Sequence, residues 1–207
     1  MISAGRLARA MVVCAAAVAL GCGLLAGCAS GGPASSGPLS DGHTGGYEQC
    51  SPVRPGGVLT YGFSLWYNLG QKVAVVDRVS LYRSHHLKLL AAYAVPATGT
   101  DLWGASAGAP SAASASGAPG VHWSRRQNAD GARIPPRRRY KPIINVLLVL
   151  RPVGTLGTAF GYDTYYRENG KRYVLFTNFP MVVAVRSCSG KAYKAFNRQV
   201  QAMWNRG

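Results

Sequence analysis

The sequence predicts a mainly β protein, an antiparallel sandwich of about seven strands followed by a short amphipathic helix. Three observations predict this fold class. Apolar and polar side chains alternate from Val58 to Leu69, the pair Asn169-Gly170 separates two aromatic-rich segments, and the apolar spacing becomes helical near the end of the chain. Period-two alternation is typical of a half-buried strand, and a spacing of three to four residues is typical of a helix.

The strand candidates are short and are separated by turn residues. In the first of them, the apolar side chains share one face of the predicted half-buried strand and Thr60, Gly62, Ser64 and Asn68 lie on the other. The apolar face consists of Leu59, Tyr61, Phe63, Leu65, Tyr67 and Leu69. Several short strands with turn signals between them are typical of an antiparallel sandwich. The predicted strands are Val58–Leu69, Val73–Tyr82, Leu87–Val95, Ile143–Arg151, Ala159–Arg167, Arg172–Phe179 and Met181–Ser187.

The pair Asn169-Gly170 predicts a two-residue type I′ turn, which fixes the register of a hairpin. Tyr166 then faces Tyr173, and Arg167 faces Arg172. Because aromatic cross-strand pairs stabilise a sheet, we expect the tyrosine face to be buried and the arginine face to be wet. The predicted buried face consists of Phe160, Tyr162, Tyr166, Tyr173, Leu175 and Phe179.

Residues 191–207 have apolar side chains at helical spacing, among them Phe196 and Val200, with basic residues between them. This pattern predicts a basic amphipathic helix. Two interpretations remain open. The helix packs on the sandwich, or it lies on anionic lipid or on a partner.

The amino-terminal residues 1–27 predict an export signal, because arginines precede the apolar run Ala10–Leu25 and small residues follow it. The segment Leu25-Ala26-Gly27-Cys28 resembles the lipobox of bacterial lipoproteins. The resemblance implies that Cys28 becomes the first mature residue, carries lipid, and anchors the protein to the extracytoplasmic face of the cell membrane. The alternative is an uncleaved membrane helix, since residues 10–29 are about long enough to span a bilayer.

The chain has five cysteines. Cys14 and Cys22 lie in the predicted signal, and Cys28 is the residue that the lipobox resemblance assigns to lipid. In an oxidising compartment, the remaining pair Cys50 and Cys188 predicts a disulfide. Two buried thiols are the alternative.

Composition divides the mature chain into three parts, the second of which contains an insertion. Residues 28–46 are dominated by Gly, Ser and Pro and predict a lipidated, flexible tether. Residues 47–190 hold all the strand candidates and form the predicted sandwich domain. Residues 98–120 within it have low complexity and predict a disordered insertion. The helix of residues 191–207 completes the chain.

The segments VLTYGFSLWYNLG and VAVVDRVSLY resemble the opening strands of immunoglobulin-like domains on secreted proteins of high-GC Gram-positive bacteria. The resemblance spans Tyr47 to Cys188 with a large insertion. It implies an immunoglobulin-like sandwich and little about activity. The Cys-Trp-Cys pattern of antibody domains is not matched, since Trp66 follows Cys50 closely.

Positive charge is the most extreme property of the sequence, with 23 Lys and Arg against 7 Asp and Glu and a formal net charge of +16. A basic cluster near Pro135-Pro136 predicts binding to an anionic lipid, a wall polymer or another exported protein. The alternative is a solvated loop. Nucleic acid is not predicted, because no recognition motif accompanies the charge. The predicted anion-binding residues are Arg125, Arg126, Arg133, Arg137, Arg138, Arg139 and Lys141.

No P-loop, dinucleotide fingerprint, HExxH motif or EF-hand loop is present, so no cofactor and no catalytic residue is predicted. The first hypothesis is therefore a non-enzymatic binding module at the cell envelope. The alternative is an envelope hydrolase or a copper- or zinc-handling lipoprotein that uses His85, His86 or His122.

Overall fold

The computed structural model describes residues 37–42, 49–98, 102–115, 117–138 and 143–205. The predicted signal, Cys28, Arg139 and Lys141 lie outside these residues, so the interpretations placed on them remain predictions. None of the helices formed by the described residues has the length and apolar character needed to span a membrane.

Short strands dominate the described residues. The strands are β1 (Leu39–Asp41), β2 (Gln49–Val53), β3 (Leu59–Asn68), β4 (Ala74–Tyr82), β5 (Leu87–Ala97), β6 (Gly104–Ala107), β7 (Gln127–Asn128), β8 (Arg133–Ile134), β9 (Ile143–Pro152), β10 (Leu156–Ala159), β11 (Gly161–Glu168), β12 (Lys171–Thr177) and β13 (Met181–Val185). The helices are α1 (Ala112–Ala115) and α2 (Lys191–Trp204), and Trp123–Arg125 forms a 3₁₀ turn.

The strands form three sheets. The large sheet has the order β1-β3-β9-β5-β7, with β6 also paired to β3; the hairpin sheet has the order β12-β11-β4-β8; the small sheet has the order β10-β13-β2. The pairs are antiparallel apart from β2 and β13, which run parallel. The predicted fold class is confirmed as a mainly β, largely antiparallel sandwich with a short carboxy-terminal helix. The seven predicted strands are β3, β4, β5, β9, β11, β12 and β13, and the further strands are too short to show an alternating pattern.

The main core lies between the large sheet and the hairpin sheet. Trp66 from β3 and Tyr162 from β11 are fully buried in it, together with alternate residues of β9 such as Leu148. On the opposite face of β9, Leu147 belongs to a second cluster with Trp103 and Val95. Because β9 is covered on both faces, its sequence is a continuous apolar run without alternation.

The prediction of a disordered insertion over residues 98–120 is wrong for its described part. Strand β6 pairs with β3, and the Trp103 side chain is 8% exposed. The backbone N–H of Trp103 donates a hydrogen bond to Asn145 Oδ1 at 3.0 Å. Low-complexity composition indicates disorder, but one buried tryptophan and a paired backbone stabilise the segment on the sheet.

The prediction of a flexible tether over residues 28–46 is wrong for residues 39–41, which form β1. Leu39 is 3% exposed and faces Asn68 across the β1–β3 pair. The Leu39 N–H donates a hydrogen bond to the Tyr166 hydroxyl at 3.0 Å. A single leucine in a polar segment thus extends the sandwich by a strand.

The hairpin of β11 and β12 has the predicted register, with Tyr166 opposite Tyr173 and Arg167 opposite Arg172. Asn169 and Gly170 have φ angles of 50° and 76°, as a type I′ turn requires. The rings of Tyr166 and Tyr173 stack at 5.3 Å. Local turn chemistry therefore sets this part of the fold.

Helix α2 packs on the small sheet, as one of the two interpretations predicts. Phe196 and Val200 are buried against Val182 of β13. The predicted disulfide is confirmed: Cys50 and Cys188 are bonded, with an S–S distance of 2.08 Å and a Cα–Cα distance of 5.9 Å. Since Cys188 lies two residues before Gly190, which precedes the helix, the disulfide fixes the start of α2 to β2.

Candidate anion-binding surface

Five of the predicted anion-binding residues lie on one connecting segment, residues 123–138, which we call the basic segment. Its strand β7 pairs with β5 at the edge of the large sheet. Its strand β8 pairs with β4 at the edge of the hairpin sheet. The basic segment therefore crosses from one sheet to the other along one edge of the sandwich.

The first part of the basic segment is fixed by Trp123. The Arg126 guanidinium lies 4.3 Å from the centre of the Trp123 ring, and Arg126 Nη1 donates a hydrogen bond to the Trp123 carbonyl at 3.3 Å. The Trp123 ring in turn contacts Tyr93 and Trp103, with centroid distances of 5.4 and 5.5 Å. A cation–π contact orders a guanidinium while its N–H groups stay available to an anion.

The last part of the basic segment is fixed by Asn68. This buried side chain donates hydrogen bonds to the carbonyls of Ile134 and Lys72, at 2.8 and 2.7 Å. The Arg137 N–H donates to the Asn68 carbonyl at 2.7 Å, and the Arg137 guanidinium lies 4.3 Å above the Tyr67 ring. A second arginine is thus ordered on an aromatic ring.

The middle of the basic segment joins these two parts. The Arg133 N–H donates a hydrogen bond to Gln127 Oε1 at 3.3 Å, and the Arg133 side chain is exposed. Arg125 and Arg138 are also exposed. Asp130 is the one carboxylate in the segment. The segment therefore presents a predominantly positive surface.

The outer face of the hairpin sheet also carries arginines, but carboxylates accompany them. Arg167 Nε donates to Asp77 Oδ1 at 2.8 Å. The Arg78 guanidinium lies 4.2 Å above the Tyr165 ring. Burial raises the pKa of Asp163, and the charge of Arg78 opposes that rise. These charges partly neutralise each other, so the basic segment is the stronger candidate for an anionic partner.

The structure places His85 and His86 together and His122 elsewhere. His85 and His86 are exposed in the turn between β4 and β5, with ring centroids 3.9 Å apart, and both line a surface cleft. His122 does not line that cleft; its N–H donates to the Pro96 carbonyl before the 3₁₀ turn. The side chains lining the cleft include no carboxylate and no serine. Among the residues that line the cleft, the hydrolase hypothesis therefore finds threonine hydroxyls but no carboxylate that could act as an acid or base.

Metal ligands are not gathered in the described part of the chain, where no group of three His, Cys, Asp or Glu side chains is close enough to hold an ion. His85 and His86 alone would supply two nitrogens. Structural zinc sites use four protein ligands and catalytic sites use three. The described residues thus do not assemble a zinc site.

The sequence predicted the arginines of this surface but not the aromatic rings beneath them. Trp123 lies three residues before Arg126, and this spacing is a local signal that could have identified the contact. Tyr67 and Arg137 are 70 positions apart in the sequence, and their contact depends on the fold. The signal for that second pair is therefore tertiary.

No protein-family model matches the chain, and no curated protein matches its sequence. A PapD-like domain (ASH / PapD-like domain 7) of human CEP192 is similar over 76% of this chain and 94% of that domain, with 14% identity and a TM-score of 0.36. At a TM-score this low the likeness says nothing about function. Function is therefore inferred from the residues themselves.

Proposed function

We propose that this protein is a non-enzymatic module, anchored by lipid on the extracytoplasmic face of the cell membrane, that binds an anionic lipid surface or an anionic wall polymer. The basic segment is the proposed contact. The observation that carries the proposal is the stacking of Arg126 on Trp123 and of Arg137 on Tyr67 along one edge of the sandwich.

Ordered guanidinium groups favour binding because association then costs less side-chain entropy. Arg126 and Arg137 each lie on a ring that is itself held by the fold, so part of that entropy is already lost before the partner arrives. Arg125, Arg133 and Arg138 supply further exposed charge beside them. Each basic residue near an anionic membrane contributes about 1 kcal/mol.

The anchor remains part of the proposal through the lipobox resemblance at Cys28. A single acyl chain gives marginal membrane binding, whereas two chains give stable attachment. A diacylglyceryl group on Cys28 would supply two chains, and the basic segment would add contacts to the anionic surface beside the anchor. Intact mass of the membrane-extracted protein tests the lipid directly, since an unprocessed chain would contradict the anchor.

The binding experiment uses the mature protein without lipid and vesicles that contain increasing fractions of anionic lipid. The test variant carries Arg125→Gln, Arg126→Gln and Arg133→Gln. We expect the variant to bind about 100-fold more weakly, because three contributions of about 1 kcal/mol are removed. Binding of the unmodified protein should weaken as salt is raised from about 0.05 to 0.5 M.

The matched control removes the same charge elsewhere, with Lys88→Gln, Arg151→Gln and Lys171→Gln on exposed strand positions. Retention of binding by the control and its loss in the test variant support the basic segment as the contact. Equal loss in both would show that net charge alone acts, which contradicts the proposal. Absence of binding to both anionic vesicles and purified anionic wall polymer would also overturn it.

A further inference from the structure

A second candidate site is a cleft of about 510 Å³ bordered by α2, by β10 with its flanking residues, and by the turn between β4 and β5. We call it the helix cleft. Its volume lies in the range of small-molecule sites, about 300–1,000 Å³. Its lining residues are Arg83, His85, His86, Thr155, Leu156, Thr158, Phe160, Ala192, Ala195, Phe196 and Gln199.

One side of the helix cleft is polar and basic. Arg83, His85 and His86 are exposed there. The backbone of His85 exchanges hydrogen bonds with Thr158, at 2.8 and 2.9 Å, and the His86 carbonyl accepts from the Val153 N–H at 2.7 Å. The turn is therefore held against β10 by its backbone, which leaves the three side chains available to a ligand.

The backbone of this turn is strained at two positions. Arg83 and His86 have φ angles of 45° and 51°, in the left-handed region that non-glycine residues rarely adopt. Residues held in this region carry a conformational cost and cluster at binding sites. Both of these residues line the cleft.

The other side of the helix cleft is apolar. The Phe160 and Phe196 rings contact each other at 5.0 Å, and Leu156 lies beside them in the same cluster. Phe196 is 6% exposed and holds α2 on the small sheet. The disulfide between Cys50 and Cys188 fixes the start of the same helix. This apolar surface is therefore built on ordered elements.

We propose that the helix cleft binds a small amphipathic anion, a molecule with one carboxylate or phosphate group attached to an apolar chain. Arg83, His85 and His86 hold the anionic group, and Phe160 and Phe196 pack against the chain. Charge complementarity argues for this class, because the lining residues include the Arg83 cation, two imidazoles that can donate N–H groups, and no carboxylate. A fatty acid and a monoacyl glycerol phosphate share this chemistry, and the experiment separates them.

The test measures binding by calorimetry with four probes below their micellar concentrations: decanoate, decanoyl glycerol phosphate, decanol and inorganic phosphate. We expect at least one of the two amphipathic anions to bind at least tenfold more tightly than decanol and than phosphate. The preferred headgroup identifies the source. The proposal is overturned if decanol or inorganic phosphate binds as tightly as the two amphipathic anions. It is also overturned if neither decanoate nor decanoyl glycerol phosphate binds.

Two variants locate the site. Ala195→Phe fills the cleft from the helix without removing a core side chain, and Arg83→Asn removes the charge with a residue that tolerates the left-handed backbone. Each should weaken anion binding at least tenfold. Gln201→Phe is the matched control, because it adds the same ring at an exposed helix position outside the cleft. Unchanged binding in Ala195→Phe, or equal weakening in Gln201→Phe, contradicts the assignment.

The helix cleft and the basic segment are tested independently. The variant with Arg125→Gln, Arg126→Gln and Arg133→Gln should bind the amphipathic anion normally, because none of these residues lines the cleft. Ala195→Phe should bind anionic vesicles normally. Loss of decanoate binding in the basic-segment variant would show that the anion binds there, and would overturn the assignment to the cleft.

Discussion

Asn145 accepts a hydrogen bond through Oδ1 from the backbone N–H of Trp103 at 3.0 Å. The same side chain donates through Nδ2 to the carbonyls of Gly62 and Ser64, at 2.7 and 2.9 Å. These carbonyls lie where the register between β3 and β9 shifts. One fully buried amide thus satisfies an irregularity of the large sheet and attaches the segment containing β6 to that sheet.

Asn145→Ala should lower the free energy of unfolding by about 3 kcal/mol or more, because it leaves three buried backbone groups without a partner and each costs about 1–3 kcal/mol. Urea unfolding measures the change. Proteolysis within residues 102–110 should also become faster, since the Trp103 contact is lost. Asn128→Ala, at an exposed position of β7, is the control. A variant as stable as the control would contradict this role for Asn145.

The Cys50–Cys188 disulfide should account for a large part of the stability. It closes a loop with a sequence separation of 138, and removing a native disulfide from a small domain costs about 2–5 kcal/mol. The double variant Cys50→Ala with Cys188→Ala should unfold at a correspondingly lower urea concentration. Hydrogen exchange should increase most in α2, which the bond fixes to β2. An equal increase in hydrogen exchange across the whole sandwich would contradict the prediction that the disulfide acts mainly on α2.

Alkaline pH should destabilise the protein through its buried tyrosines. Burial raises the pKa of Tyr166 from 10.0 to about 12. The unfolded chain therefore ionises first, so the contribution of Tyr166 is complete below pH 10 and is lost as the pH rises from about 10 to 12. Urea midpoints measured at pH 8, 10 and 11 should fall over that interval.

Tyr166→Phe separates this effect from the other tyrosines. At pH 8 the variant should be less stable than the unmodified protein, because the Leu39 N–H loses its acceptor. Above pH 10 its stability should fall less steeply. Tyr93→Phe, which removes a half-buried hydroxyl on β5, is the control. Parallel pH profiles for the unmodified protein and Tyr166→Phe would refute the assignment of this titration to Tyr166.

Two hydroxyl groups, Tyr61 OH and Thr164 Oγ1, are buried in the sandwich without a hydrogen-bond partner among the described residues. The Tyr162 hydroxyl, by contrast, interacts with the side chains of Ser64, Trp66 and Thr177. Burial raises the pKa of both Tyr61 and Tyr162. Because an unpaired buried hydroxyl is costly, Thr164→Val should raise the free energy of unfolding by about 1 kcal/mol.

Thermal and urea unfolding of Thr164→Val test this expectation. The substitution keeps the branched shape and removes the unsatisfied oxygen, so packing changes little. Thr155→Val, at an exposed position before β10, is the control. A loss of stability in Thr164→Val would show that the hydroxyl has a partner such as buried water, and would contradict the expected sign.

The sequence predicted the hairpin of β11 and β12 in detail because its information is local. Asn169 and Gly170 favour a turn that determines which residues face each other, and no distant contact is needed. Strand β3 was predicted, but its buried face was predicted correctly only as far as Tyr61. The register shift between Tyr61 and Ser64 exchanges the two faces, so Ser64, Trp66 and Asn68 are buried and Leu69 is 63% exposed. Local chemistry therefore accounts for the correct parts of the fold.

The segment containing Trp103 was mispredicted because its order comes from distant partners. Its composition of small residues indicates disorder, whereas its burial depends on Leu147 and Asn145, more than 40 positions later. Leu39 was missed for the same reason, since Tyr166 lies 127 positions away. A single apolar residue in a polar segment gives no periodic signal.

The two candidate sites also differ in whether their residues are close in the sequence. The arginines of the basic segment were predicted because they are close in sequence. The helix cleft was not predicted, because Arg83, Thr158 and Phe196 come from three separate regions of the chain and meet only in the fold. Its basic and apolar sides lie next to each other because α2 packs on the small sheet.

The covalent link between Cys50 and Cys188 also determines how the domain would respond to mechanical tension. A force applied between the chain ahead of Cys50 and helix α2 would pass through the sulfur atoms, because residues 51–187 lie within the closed loop. Those residues, including β3 to β13, would carry almost none of the load. Strand β1 lies outside the loop and would be peeled away first, so a protein pulled from its amino-terminal side would lengthen slightly and then resist.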